Sequence, residues 1–334
     1  MDKPVLDTLS RPLEALRISV TDRCNLRCTY CMPKAVFDGH TFLAKSQLLT
    51  FEEIELLAEI FIGLGVRKIR LTGGEPLLRH EIEVLVRKLA VLPGLAELAL
   101  STNALLLRRH AARLRDAGLR RLNISLDAID DSVFGAMNGL GTPARDVLDG
   151  IDEAHAQGFD LKVNMVVQRG VNESQIVPMA RHFAARGIPL RFIEFMDVGN
   201  SNRWNRAAVV PGSKIRELLA TEFSLARQAG NAADTERRYR CTRTGAQFGL
   251  IESVTAPFCR DCNRLRLSAD GRIFTCLFAQ AGHDLRAILR SGADRGQIAQ
   301  AIRSVWQSRD DRYSELRALL PVSQPKPEMS YIGG

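Results

Sequence analysis

No hydrophobic run in this chain approaches the length of a membrane span, and the opening Met1-Asp2-Lys3-Pro4 is polar, without the apolar stretch of an export leader. A cytoplasmic protein with no membrane partner is predicted. Cysteine is scarce, seven in 334 residues, and in a reducing compartment those thiols stay free for metal or for chemistry rather than forming a disulfide framework. Low-complexity tracts and internal repeats are missing as well, which argues against a solenoid or an interaction tail. Lys and Arg outnumber Asp and Glu, 46 to 38, for a net charge of +8. That excess points to an anionic partner. It is scattered, with no dense stripe of basic and aromatic residues, so no nucleic acid partner is expected and a small phosphorylated molecule is favoured. With 46% hydrophobic and 25% charged residues, the chain reads as one large globular domain with an appendage, or two domains.

Three of the seven cysteines crowd into Arg23-Cys24-Asn25-Leu26-Arg27-Cys28-Thr29-Tyr30-Cys31-Met32-Pro33, a C-x3-C-x2-C spacing. Thiols this close converge on one soft metal centre, and three of them on a four-iron cluster leave one iron open to a ligand. Zinc is the competitor, yet a closed zinc site needs a fourth protein ligand, and no His or Cys follows before His40. A second set, Cys259-Arg260-Asp261-Cys262 with Cys276, flanks a hairpin turning at Asp270-Gly271. Spacing leaves zinc and iron-sulfur open there, since C-x2-C is a common zinc frame and Cys241 offers a fourth ligand. Cys241 itself reads as an ordinary buried thiol.

Along the chain, apolar segments alternate with amphipathic ones. Strands are predicted over Leu16–Val20, Lys68–Thr72, Glu97–Ser101, Arg121–Ser125, Leu161–Val167 and Leu190–Phe195. Between them, Thr50 and Glu53 form a capping box before a helix with Phe51, Ile54, Leu57, Ala58 and Phe61 on one face, ending near Gly63 and Gly65. Further helices are predicted over Glu81–Leu92, Leu106–Ala117, Ala144–Gln157 and Glu173–Ala185. Such alternation implies a parallel α/β sheet; about six units are too few to close an eight-stranded barrel, so an open, partial TIM-type barrel is expected. Cys24, Gly73-Gly74-Glu75-Pro76, Ser101-Thr102-Asn103, Ser125, Asp127 and Met196 then gather near strand ends on one rim, where such folds hold their chemistry.

The C-x3-C-x2-C run with Tyr30 before its last cysteine resembles the radical S-adenosylmethionine superfamily. The resemblance implies a [4Fe-4S] cluster on Cys24, Cys28 and Cys31, and S-adenosylmethionine contacts at Tyr30, Gly74, Ser125 and Met196. Both cysteine sets, Arg17-Ile18-Ser19-Val20-Thr21-Asp22-Arg23-Cys24, Arg191-Phe192-Ile193-Glu194-Phe195-Met196-Asp197 and the final Tyr331-Ile332-Gly333-Gly334 are together similar to the GTP 3′,8-cyclase family within it, over about Leu13 to Gly334. This likeness implies a core over 8–225, a C-terminal region over 226–334 with a second [4Fe-4S] cluster on Cys259, Cys262 and Cys276, and a catalytic Gly333-Gly334 tail. It further implies a GTP substrate, a low-potential electron donor, hand-over of product to cyclic pyranopterin monophosphate synthase, and the homodimers that occur in that family. The GTP-binding positions it carries over are Arg17, Arg70, Ser101, Lys162, Arg191, Arg264 and Arg266. Ser101 stands where the family usually has Thr, with Thr102 as the fallback, and Ala104 follows Asn103 where Gly is common. An alternative within the superfamily is a peptide-modifying maturase with an auxiliary cluster.

Physical chemistry supports the cation set independently. A triphosphate carries about four negative charges that need Arg forks or Lys point charges when buried. Arg70, Lys162 and Arg191 sit on predicted strands facing the barrel interior, where an unpaired cation is costly without an anionic ligand.

Overall fold

A computed structural model describes residues 4–230, 233–319 and 325–333; Gly334 lies outside the described residues. Six apolar segments form adjacent parallel strands, β1 (Ala15–Ser19), β2 (Lys68–Thr72), β3 (Glu97–Thr102), β4 (Arg121–Ser125), β5 (Asp160–Val167) and β6 (Leu190–Glu194). Strand β5 shows how the sequence divides the two faces. Leu161, Val163, Met165 and Val167 are buried in the apolar layer beneath the outer helices, while Lys162, Asn164 and Val166 alternate with them and line the interior cavities. A period of two thus puts hydrocarbon on one face of the sheet and chemistry on the other.

The parallel array does not stop at six. After β7 (Leu225–Arg227) and β8 (Arg237–Cys241), β9 (Gln247–Ile251) pairs parallel to β6, and β10 (Arg264–Leu267) pairs parallel to β1. Antiparallel β11 (Arg272–Phe274) and β12 (His283–Asp284) continue beyond β10, as β8 and β7 do beyond β9. Among the described residues, twelve strands make one sheet in the order β12-β11-β10-β1-β2-β3-β4-β5-β6-β9-β8-β7. The barrel is open, and the C-terminal segment extends both of its edges.

Helix boundaries follow local chemistry. Thr50 and Glu53 cap Phe51–Gly63 reciprocally, with Glu53 N donating to Thr50 Oγ1 at 3.1 Å and Thr50 N to Glu53 Oε2 at 2.8 Å. The helix expected from Glu81 begins at Ile82, because Glu81 takes a left-handed φ of 54°. The one expected from Glu173 opens as a 3-10 turn and becomes α-helical over Ile176–Ala185. Pro178 lacks the N–H an earlier start would use and is tolerated only in the first turn. Helices not expected include Asp131–Asn138, Gly212–Ala220 and Arg295–Gln307, with shorter ones at Lys34–Phe37, Leu285–Arg290, Tyr313–Leu316 and Met329–Ile332. The first has only eight residues, with Gly135 interrupting its periodicity; Asp130 caps it by accepting from Val133 N at 2.9 Å, and Gly139 stops it at φ 71°.

Candidate active site

The first cysteine loop is clamped from two sides. Gly74 N donates to Thr21 O and Glu75 N to Arg23 O, each at 2.8 Å. A Cβ on Gly73 would overlap Thr21 O and one on Gly74 would overlap Arg23 O, so both glycines let the strand-end turn lie directly on the cysteine loop. On the other side, Arg27 N donates to Asn138 O at 3.0 Å and Thr29 N to Met137 O at 2.9 Å, joining the loop to the end of the short helix Asp131–Asn138. Asn103 reaches over, donating to Asn25 Oδ1 at 2.8 Å and toward Cys24 Sγ at 3.8 Å.

Two buried carboxyls stand behind this loop. Glu75 accepts from Leu77 N at 3.0 Å, Thr102 Oγ1 at 2.8 Å and Asn103 N at 2.8 Å, yet burial pushes its carboxyl up to about 7. Asp127 accepts from Tyr30 OH at 2.7 Å and Val166 N at 2.8 Å, and burial raises it to about 6. Burial and the neighbouring Glu75 push the Cys24 thiol up to about 11; burial likewise raises Cys28 and Cys31.

The second set has basic company. Two arginines hold the backbone of the Cys259–Cys262 knuckle: Arg11 donates to Cys259 O at 2.7 Å, and Arg309 to Cys262 O at 2.7 Å. Asp7 neutralises both, 2.5 Å from Arg11 and 3.2 Å from Arg309, all three side chains being almost fully buried. Burial raises the Cys262 thiol, but the Arg264 and Arg309 guanidiniums outweigh it and bring the thiol down to about 6. Cys276, set back by the β10–β11 hairpin, is pushed up to about 12 by burial and then by Asp311.

Both triads open on one cavity of about 280 Å³ that fills the barrel. Arg17, Arg70, Arg191, Arg264 and Arg266 line it between them. Arg17 and Arg266 are register partners on β1 and β10, as are Arg17 and Arg70 on β1 and β2. Crowding of like charge is severe there. Burial, then Arg266 and Arg70, hold Arg17 well below the usual guanidinium range; burial brings Arg70 to about 10 and Arg266 to about 9. Among the described residues no hydrogen bond or ion pair to an acceptor is made by Arg17 or Arg70.

The C-terminal segment runs back into this cavity. Lys326 pairs with Asp197 at 3.3 Å, Glu328 accepts from Asn200 N at 3.1 Å and Ser201 Oγ at 2.9 Å, and Tyr331 OH donates to Asp270 at 2.7 Å. Met329 lines the cavity, and Gly333 is buried with its carbonyl accepting from Arg266. Gly333 has φ 76°, and a Cβ there would collide with Thr72.

Proteins of Staphylococcus aureus strains MRSA252 and JH9 described as GTP 3′,8-cyclase are 45% identical to this chain over 340 aligned positions, covering all of both chains. The chain belongs to the GTP 3′,8-cyclase family. Consistently, the family model of the radical SAM superfamily matches residues 18–183, and that of Molybdenum Cofactor Synthesis C matches residues 188–315. Among solved structures, Streptococcus suis SuiB bound to S-adenosylmethionine superposes with a TM-score of 0.63 at 15% identity, covering 88% of this chain and 68% of that one. Methylornithine synthase superposes at 0.53 with 14% identity, covering 93% and 86%. These two share the fold.

For a GTP 3′,8-cyclase family member, most of the expected site residues meet on the wall of one cavity: Tyr30, Gly74, Ser125 and Met196, and Arg17, Arg70, Ser101, Arg191, Arg264 and Arg266. Lys162 is the exception. It lines a second cavity of about 220 Å³ and pairs with Glu236 at 3.3 Å. Arg191 lies 3.6 Å from the same carboxylate, so these two interior cations are partly compensated, which the expectation of unpaired cations missed. Ser101 and Thr102 both line the cavity, but Thr102 spends its hydroxyl on Glu75. Cys241 is buried in the apolar core on β8, away from the cavity wall. Among the described residues no three His, Cys, Asp or Glu side chains close on a single-ion site. The donors present are six thiols in two triads facing shared space, a soft set that fits iron-sulfur clusters. Sequence reading overlooked Asp7, Arg11, Arg309 and Glu236, whose partners lie far away along the chain and leave no local pattern.

Proposed function

We propose that the chain converts GTP to (8S)-3′,8-cyclo-7,8-dihydroguanosine 5′-triphosphate, a lyase-type step opening molybdenum cofactor biosynthesis, in the cytoplasm. The observation that carries this reading is a barrel cavity with a thiol triad at each side and arginines between them, two of which lack any acceptor among the described residues. Such a site is short of negative charge, and a nucleoside triphosphate brings about four units of it.

In this reading Cys24, Cys28 and Cys31 hold one [4Fe-4S] cluster and Cys259, Cys262 and Cys276 hold a second. S-adenosylmethionine, held beside the first triad, would supply hydrogen-abstracting radical chemistry directed at the ribose 3′ position of GTP. The chain itself contributes position. Tyr30, Gly74, Ser125 and Met196 seat S-adenosylmethionine beside the first triad. The second triad fixes the guanine end, Ser101 offers a hydroxyl, and Arg17, Arg70, Arg264 and Arg266 clamp the phosphates, with Arg191 and Lys162 at their far end. Holding both reacting carbons in a near-attack geometry accounts for much of the rate. Gly333 and Gly334 act in catalysis in this reading, supported by the burial of Gly333 with its carbonyl against Arg266. The core over 8–225 provides the radical source and the region over 226–334 the second triad and tail. A low-potential donor supplies electrons, and cyclic pyranopterin monophosphate synthase takes the product.

The test is anaerobic reconstitution with iron and sulfide, followed by dithionite, S-adenosylmethionine and GTP, with mass spectrometry for 5′-deoxyadenosine and a cyclised GTP isomer. Both together are expected. Deoxyadenosine without the isomer would overturn the substrate and turn attention to peptide modification.

A further inference from the structure

The interior cations fall into two groups. Arg17 and Arg70 face the main cavity without an acceptor among the described residues, whereas Lys162 and Arg191 share Glu236. Glu236 lies just before β8, outside the parallel array, and reaches the barrel across β9 at Gly249. Gly249 is the register partner of Arg191 on one side and Arg238 on the other. A Cβ on Gly249 would sit 2.8 Å from Arg191 Cγ and 2.9 Å from Glu236 Oε2, so the missing side chain makes the room in which the pair meets.

The pair is loose. Lys162 stands 3.3 Å from Glu236, Arg191 3.6 Å and Arg238 3.9 Å. Glu236 Oε2 and Arg191 Nε are both buried without a hydrogen-bond partner. A phosphate oxygen forms charge-assisted bonds to such cations at about 2.7–2.9 Å, shorter and stronger than these contacts. Arg191 lines both cavities, so an anion lying along Arg17 and Arg70 meets Lys162 and Arg191 at its far end.

We infer that Glu236 is the built-in counter-anion of the terminal phosphate position, a carboxylate that the last phosphate of the substrate must displace or approach against like charge. It is a specificity-determining residue: it keeps Lys162 and Arg191 compensated in the empty site and weights binding toward ligands that gain enough from both cations to oust it. Shorter phosphate chains never reach it. The inference rests on the nucleoside triphosphate reading of the cavity and adds to it the group that the last phosphate competes with.

Calorimetric titration of reconstituted wild-type and Glu236→Gln protein with GTP, GMP and inorganic triphosphate separates the possibilities. Glu236→Gln is expected to bind GTP and inorganic triphosphate about tenfold tighter, with GMP unchanged. Unchanged or weaker triphosphate binding, or equal tightening of GMP, overturns the inference. If inorganic triphosphate tightens while GTP binds neither protein, the counter-anion stands and the GTP reading falls. Glu236→Asp, which shortens the carboxylate and draws it back from Lys162, is expected to shift triphosphate binding the same way by a smaller factor. It decides the matter if the Gln variant does not fold.

Discussion

The two thiol triads face the same cavity from opposite electrostatic surroundings. Around Cys24, Cys28 and Cys31 the buried ionisable neighbours are acids, Glu75 and Asp127, and burial with those acids drives the thiols upward. Around Cys259, Cys262 and Cys276 the neighbours include guanidiniums, and Arg264 with Arg309 bring Cys262 down to about 6 against the effect of burial, while burial and Asp311 push Cys276 up to about 12. A triad backed by acids suits a cationic ligand such as the sulfonium S-adenosylmethionine, and one flanked by arginines suits a polyanion.

The sharpest way to break the comparison is to remove one ligand from each triad. Cys28→Ser and Cys262→Ser are each expected to lower iron content from about eight to about four per chain. Only the first should abolish 5′-deoxyadenosine formation; the second should keep it while losing the cyclised product, read by iron analysis and mass spectrometry. Equal loss of deoxyadenosine in both variants would mean that the triads are not functionally distinct. Next in size are the unpartnered cations. Arg17→Ala or Arg70→Ala removes charge-assisted contacts to phosphate and is expected to weaken GTP binding by about 10- to 100-fold, measured by calorimetry, with S-adenosylmethionine affinity unchanged.

The two sides also differed in how far the sequence disclosed them. Six strand positions, the rim motifs and both triads were readable because each depends on local periodicity or on spacing within a few residues. The expected turn at Asp270-Gly271 holds, with Gly271 at φ 86°. Gly73 and Gly74, expected on the rim, press against the cysteine loop itself. What surrounds the second triad was not legible. Asp7 and Arg309 are 302 positions apart, and Arg11 meets Cys259 across 248. Contacts at such separation arise only once β10 has docked beside β1, and nothing in either segment alone announces it. For the same reason the extension of the six-strand core by β9 and β10 escaped notice.

The tail joins the two sides, and its last described residue gives a smaller effect. Gly333→Ala places a methyl at a left-handed φ and against Thr72, at a cost of about 1–2 kcal/mol in local strain. Displacement of the tail is expected to lower the yield of cyclised product while leaving GTP affinity within about threefold. A comparable loss of GTP affinity would show the tail to be a binding element instead.

The smallest expected effect sharpens the acidic side. Glu75 is buried and its carboxyl sits at about 7, above its ordinary 4.5. The folded protein therefore holds this proton over a range in which the unfolded chain has released it. By linkage, this group's contribution to stability is greatest below about 4.5, declines as pH rises toward 7, and is level above that. Glu75→Gln removes the titration and keeps an acceptor oxygen for Leu77 N and Thr102 Oγ1, but it turns an amide NH2 toward Asn103 N, so a loss of about 2 kcal/mol is expected at pH 5. At pH 7.5 the difference should narrow, because there the wild type carries the cost of a buried charge. Urea denaturation of the metal-free proteins at both values reads this directly. A gap that widens with pH would mean that the three hydrogen bonds outweigh burial and keep Glu75 ionised, leaving the first triad with a permanent negative charge beside it.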